Sequence, residues 1–351
     1  MEPAVILIPA VASCENLMYI WFRKFCRFRG EQKMKKILIT GAVGQIGSEL
    51  TTALKKRYGK ENVVASDIRT PAGFDSHNDG PFEFLDCLDP NHITRAMQIY
   101  NFDTIYHLAA LLSAVGEAKP NHAWQVNING LYNILEAARQ YRCALFVPSS
   151  IGAFGKGTPQ NGTPQDTIQR PDTMYGVTKV AGELLCDYYH KRFGLDTRGL
   201  RFPGLISYET EPGGGTTDYA VEIYYEALRH GKYTCYLGAD TRLDMMYMPD
   251  AIRGMIDLME ADPNKLIHRN AFNVTAMNFT PEQIADEIRK HIPDFEIEYK
   301  IDPVRQAIAD SWPNYLDDSA AREEWGWNPT YNLETMTSDM LEKLAKKINR
   351  P

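Results

Sequence analysis

The stretch "KKILITGAVGQIGSELTTALKKRYG", Lys35–Gly59, decides the fold. An apolar, β-branched run ends at Thr40, a turn follows in which Gly41, Gly44 and Gly47 recur at every third position, and a helical pattern runs on to Gly59. Glycine permits a tight turn and close backbone approach, and the unpaired N–H groups of a helix start favour an anion. Strand, glycine turn and helix in that order form the cradle of a dinucleotide pyrophosphate, with Gln45 and Ile46 inside the turn. The next β-branched run, "NVVASD", closes on Asp67. A carboxylate there accepts both hydroxyls of an adenosine ribose and repels a 2′-phosphate, which favours NAD over NADP; Arg69 is the neighbour that pulls the other way.

Outward from this unit the alternation continues. Strands are expected in "TIYHLA", "ALFVPSS" and "TRGLRFPG", and helices in "NHITRAMQIYN", "NGLYNILEAARQYR" and "GVTKVAGELLCDYYHKRFG". Strands alternating with helices predict an α/β, Rossmann-type doubly wound parallel sheet. After Pro203 the pattern loosens into a Gly-rich loop, the helix "DYAVEIYYEALRHG" and a mixed carboxy-terminal third. The expected organisation is a cofactor-binding domain over residues 34–205, to which the chain returns around 236–252, and a smaller substrate lobe over 206–345.

With 351 residues, 44% hydrophobic and 24% charged, the chain can bury a large core, and a formal charge of −7 argues against nucleic acid or an anionic membrane as partner. Its six cysteines lack C-x-x-C spacing and its eight histidines lack ligand spacing, so neither a disulfide framework nor a metal is predicted. Residues 1–33 differ from the rest. Their apolar run is too short to span a membrane, and the basic cluster Arg23–Arg29 follows that run, whereas a secretory signal would have its charges first. They read as an extension or a mitochondrial presequence, which makes the compartment cytoplasmic or, in the second case, the mitochondrial matrix.

In "DTMYGVTKVAGELL", Tyr175 and Lys179 lie one helical turn apart and share a face. A bare Y-x-x-x-K spacing also suits an ordinary surface helix, so the pair gains meaning only from its company. That company is "TGAVGQIG", "VVASDIR", "FLDCLD", "YHLAALLS", "VNINGLYNILEAA", "FVPSSIGAFG", "YGVTK" and "LRFPG". Together these resemble the extended short-chain dehydrogenase/reductase family, which includes nucleotide-sugar epimerases and a non-zinc L-threonine 3-dehydrogenase branch; the resemblance runs from Lys35 to about Leu344.

The resemblance implies that Tyr175 is the acid/base, that Lys179 binds the nicotinamide ribose and favours phenolate, and that a hydroxyl orients the substrate oxygen. By the family's spacing that hydroxyl is Ser150, with Ser149 the alternative. Asp86 is implied near adenine, and Leu108, Ala109, Ala110, Asn127 and Pro203 along the cofactor. Asn127 could equally satisfy backbone groups. A dimer is implied, pairing the helix of Tyr175 with that of "NGLYNILEAARQ".

Two departures bear on substrate. Where epimerases carry R-D-x-x-x-x-x-D, whose arginine holds a diphosphate, this chain has "LDMMYMPD", with Leu243 in the arginine's place and Arg242 displaced by one. Conversely, "PGGGTTDYA", "ALLSAVGE" and "SWPNYLDDSAAREEWGW" resemble the threonine dehydrogenase branch. Thr216 and Thr217 in a Gly-rich loop opening a helix offer hydroxyls and N–H groups to a carboxylate, and Asp218 a charge to an ammonium. The plainer alternative makes Thr217 or Asp218 a helix cap. Ser113 is a further contact or a turn residue. The implied activity is NAD-dependent oxidation of L-threonine at C3; the rivals are a nucleotide-sugar epimerase or dehydratase with tightly held NAD, and a non-catalytic NAD(P)-sensing protein.

Overall fold

The computed structural model describes residues 34–348, apart from 72, 74, 76–78 and 212–214. The expectations for residues 1–33 and for the start of the Gly-rich loop lie outside the described residues. From Met34 onward the chain clusters as one unit.

Strand β1 (Ile37–Thr40) is buried at every position, as is β2 (Val63–Asp67), because helices cover both faces of a parallel sheet. Between them runs α1 (Gln45–Tyr58). The chain continues through β3 (Phe82–Phe84), α2 (Pro90–Tyr100), β4 (Thr104–His107), α3 (Ser113–Ala118), α4 (Leu131–Tyr141), β5 (Ala144–Phe146), β6 (Ser149–Ser150), α5 (Met174–Phe193) and β7 (Thr197–Arg198). The main sheet has the order β3-β2-β1-β4-β5-β7, with every pairing parallel. The order reverses beside β1, where a doubly wound sheet opens a crevice at its carboxyl edge.

Two of the expected strands divide. "ALFVPSS" supplies β5 to the main sheet, but β6 leaves it and pairs with β8 (Leu200–Phe202). "TRGLRFPG" likewise breaks into β7, β8 and β9 (Gly204–Ile206). At Gly199 a Cβ would lie 2.3 Å from the Val147 carbonyl oxygen, so the two segments cross closely there. Edge strand β3 was not among the expected strands; its three residues are part-exposed and too short to show a period.

The remainder comprises α6 (Tyr219–His230), β10 (Lys232–Cys235), β11 (Leu243–Tyr247), α7 (Met248–Glu260), β12 (Phe272–Asn273), β13 (Met277–Phe279), α8 (Pro281–Arg289), β14 (Glu296–Tyr299), α9 (Pro303–Ala309), β15 (Tyr315–Leu316) and α10 (Leu333–Ile348), with shorter turns between. Three apolar cores result. One face of the main sheet packs against α1 and α7 through Leu50, Leu54, Met255 and Leu258, and the other against α2, α4 and α5 through Met97, Ile134 and Cys186. The third, around Tyr219, Tyr224, Phe279, Ile284 and Met340, belongs to the carboxy-terminal elements. Helix α7 thus carries the chain back onto the cofactor side after β11.

Among the described residues no helix is long and apolar enough to cross a membrane.

Candidate active site

The crevice begins at the glycine turn. Gly41 has φ of +71°, a left-handed conformation that disfavours a side chain, and a Cβ there would lie 2.7 Å from the Ala109 nitrogen. At Gly47 a Cβ would lie 2.2 Å from the Gly41 carbonyl oxygen. These contacts press the turn onto the end of β4, where Leu108, Ala109 and Ala110 continue, and bring Gly44, Gln45 and Ile46 to the start of α1. That helix start has no side-chain cap and no acidic residue in its first turn. Its N–H groups are therefore open to an anion, with no carboxylate of their own first turn competing.

Asp67 ends β2 with its side chain buried; it accepts from Val43 N (3.0 Å) and Arg69 N (3.1 Å). Arg69 is exposed and lies 3.3 Å from the same carboxylate. Ile68, between them in the chain, is exposed and leaves an apolar surface at the end of β2. Asp86 sits past β3 and accepts from Leu88 N at 2.9 Å. A glycine turn, a helix start without a side-chain cap and a carboxylate at the end of the next strand fit a dinucleotide.

Helix α5 brings the second group. Thr173 caps it by accepting from Gly176 N, and Glu117 of α3 accepts from Met174 N at 2.6 Å. Tyr175 and Lys179 occupy its first turns, with the ammonium 5.4 Å from the ring centroid and donating to the Pro148 carbonyl at 2.8 Å. Opposite, Ser150 Oγ accepts from Gly152 N at 3.1 Å. A Cβ on Gly152 would meet the Tyr175 ring at 3.3 Å and Ser150 Oγ at 3.5 Å, so this glycine leaves the space that ring and hydroxyl share. Ser149 instead donates to the buried Glu183, which separates the roles of the two adjacent serines.

Asn127 lies in a π-helical turn, Gln125–Gly130, ahead of α4. Its carboxamide accepts from Leu111 N (2.8 Å) and donates to Leu111 O (3.1 Å) and Thr178 Oγ1 (3.0 Å). It serves backbone groups, tying the β4 loop to α5. His107 is a core residue bonded to Thr40 (2.7 Å) at the rim of the depression beside Lys179. Burial, with the Lys179 charge adding to it, pushes its pKa down to about 3, so the imidazole is neutral.

On the substrate side, Pro203 stands between β8 and β9. The Thr217 side chain packs on Gly204, where a Cβ would meet Thr217 Cγ2 at 2.8 Å. Thr216 is buried. Asp218 occupies the position before α6 without a side-chain cap bond; its carboxylate accepts from Gly215 N at 2.7 Å, and Tyr236 donates to the Gly215 carbonyl at 3.2 Å. The alternative that Thr217 or Asp218 caps α6 is therefore not what the structure adopts. Ser113 opens α3, whose Gly116 backs onto Tyr175. Leu243 is buried in the carboxy-terminal core, and exposed Arg242 is bonded to Asn278 Oδ1 at 2.7 Å.

A model of the NAD dependent epimerase/dehydratase family matches residues 37–275. The chain belongs to that family. Among curated relatives, an uncharacterized epimerase/dehydratase of Staphylococcus haemolyticus is 57% identical over 314 residues, which are 90% of this chain and 99% of the relative. Among solved structures, an L-threonine dehydrogenase from Clostridium difficile is 62% identical with a TM-score of 0.88, covering 90% of this chain and 99% of that one. A monomeric L-threonine 3-dehydrogenase from a metagenome is 45% identical with a TM-score of 0.85, covering 90% and 100%. As a member of this family the chain is an NAD-dependent oxidoreductase.

Proposed function

We propose that the protein is an L-threonine 3-dehydrogenase, converting L-threonine and NAD to 2-amino-3-oxobutanoate and NADH. The observation that carries this reading is the geometry around Gly152, where ring and hydroxyl share one space, in a chain 62% identical to an L-threonine dehydrogenase. NAD, when bound, supplies the hydride acceptor. Tyr175 takes the proton of the C3 hydroxyl, with the Lys179 ammonium beside its ring. Ser150 Oγ holds the same oxygen in line, and positioning of this kind supplies much of the rate. In this reading Lys179 also binds the nicotinamide ribose, giving up its bond to the Pro148 carbonyl.

Thr216, Thr217 and Ser113 bind the substrate carboxylate in this reading, and Asp218 draws its ammonium. A nucleotide-sugar epimerase is disfavoured by Leu243, which lies in the core where that activity needs an exposed arginine, and by Arg242, held on Asn278. A non-catalytic sensor is disfavoured by the intact Tyr175, Lys179 and Ser150. The chain also forms a homodimer in this reading. Val177, Leu184 and Tyr188 make an exposed stripe on α5, with Tyr132 exposed on α4. Sedimentation at micromolar concentration checks that point.

The test of function is NADH absorbance on mixing purified protein with NAD and L-threonine. Sustained NADH formation, lost in Tyr175→Phe by about 10²–10⁴-fold in turnover, is the expected result. No net NADH, with conversion of a nucleotide sugar instead, refutes it.

A further inference from the structure

Glu183 lies four residues beyond Lys179 and eight beyond Tyr175 on α5, so the three share one face of the helix. It is buried, and its two oxygens take four hydrogen bonds. Oε1 accepts from Ser149 Oγ and from Arg201 Nε at 3.1 Å; Oε2 accepts from Arg201 Nη2 at 2.8 Å and from Gln169 Nε2 at 2.8 Å. These fill the lone-pair sites of a carboxylate. The donors come from β6, from β8 and from the segment leading into α5.

Ser149 and Arg201 are register partners across β6 and β8, with Ser150 and Phe202 the next pair. Arg201 is itself fixed, donating from Nη1 to Gln165 O at 2.7 Å and to Asn273 Oδ1 at 3.1 Å, with its guanidinium 5.1 Å from the Phe154 ring centroid. One carboxylate therefore joins the helix that carries Tyr175 to the strand pair that carries Ser150. Well-packed apolar residues often stabilise a fold as much as a buried ion pair does, and the best-attested use of such a pair is to set register.

We infer that Glu183 is a positioning residue, setting the register of α5 against β6 and, through Ser149, the place at which Ser150 faces Tyr175. The inference rests on the reading of Tyr175 and Ser150 as the groups that act on the substrate oxygen. Ser149→Ala removes the hydroxyl between Glu183 and β6 while leaving the Glu183–Arg201 pair; Glu183→Gln weakens the whole junction.

The full-length variants are compared with wild type and with Tyr175→Phe in four measurements. These are kcat, the KM values for L-threonine and NAD, the thermal midpoint, and amide hydrogen exchange over residues 150–153. Because a misplacement of about 1 Å can cost about 10²-fold, Ser149→Ala should lower kcat roughly 10- to 100-fold with KM values within about threefold. Its thermal midpoint should barely move, and exchange over residues 150–153 should quicken. Wild-type kcat in Ser149→Ala overturns the inference, and so does a lowered midpoint with kcat intact. If Glu183→Gln does not fold, Ser149→Ala decides. If wild type forms no NADH from L-threonine, the functional reading fails separately, and exchange over 150–153 decides the clamp: quickened exchange supports it and unchanged exchange overturns it.

Discussion

Replacing Asp244 by asparagine should flatten the dependence of stability on pH. Asp244 lies on β11, 1% exposed, accepting from the Thr275 hydroxyl and from Leu316 N at 3.0 Å. Burial raises its carboxyl from 3.8 to about 8, the nearby Asp318 charge adds to the rise, and the two hydrogen bonds oppose it. Between those values the folded protein holds a proton that the unfolded chain has lost, so its contribution to stability falls as pH rises, by about 1.4 kcal/mol per pH unit for one proton. The contribution is fully present below the unfolded value and is gone above about 8. From about pH 5 to about pH 8 the loss is at most about 4 kcal/mol. At about 2.1 cal/mol/K of unfolding entropy per residue, a chain of 351 residues shifts about 1.4 °C per kcal/mol, so the thermal midpoint falls by at most roughly 6 °C. Asparagine matches the shape of the neutral acid and does not ionise. Asp244→Asn should therefore lie near wild type at about pH 5 and above it at about pH 8.5, read by thermal unfolding at matched ionic strength. Parallel midpoint curves for the two proteins would refute a neutral Asp244.

Three further outcomes follow from the site. Asp67→Ala should lower the preference for NAD over NADP, since it removes the carboxylate at the end of β2 and its hold on Arg69; a ratio of kcat/KM values unchanged from wild type argues against a place for Asp67 at the ribose. Asp218→Asn keeps an oxygen for Gly215 N but loses the charge, so KM for L-threonine should rise by the equivalent of about 1–3 kcal/mol with KM for NAD nearly constant. An unchanged KM for L-threonine removes Asp218 from the ammonium. Lys179→Met should weaken NAD binding and lower kcat together, as measured by calorimetric titration and initial rates; NAD affinity equal to wild type counts against contact with the ribose.

The glycine turn, α1 and the buried ends of β1 and β2 were legible because each is encoded by neighbours in sequence: a β-branched run, glycines at fixed spacing, and a helical period. Tyr175 and Lys179 were legible for the same reason. What escaped depends on partners far along the chain. Nothing local in "PSSIGAFG" says that Ser149 and Ser150 leave the main sheet to pair with β8, and the distinction between them appears only once Glu183, 34 positions on, accepts a hydrogen bond from the Ser149 hydroxyl. Glu183 did carry a readable signal, its spacing of four from Lys179, but a glutamate at that spacing on a helix is ordinarily a solvated residue. Asp218 was read as an ammonium contact or a cap, and it closes its own loop through Gly215. Leu243 was read from the motif alone as a missing arginine, and its burial in the third core gives the physical reason that no cation fits there.

The central claim is that the hydrogen on C3 of L-threonine passes to the cofactor while Tyr175 takes the hydroxyl proton. L-threonine deuterated at C3, incubated with protein and NAD, tests it in one mass spectrum of the nicotinamide product. The account predicts one deuterium in each reduced cofactor formed, a slower rate than with the protiated substrate when hydride transfer limits, and neither product nor label transfer in Tyr175→Phe beyond a trace. Deuterium released to solvent, or retained in threonine while NAD stays oxidised, would contradict it.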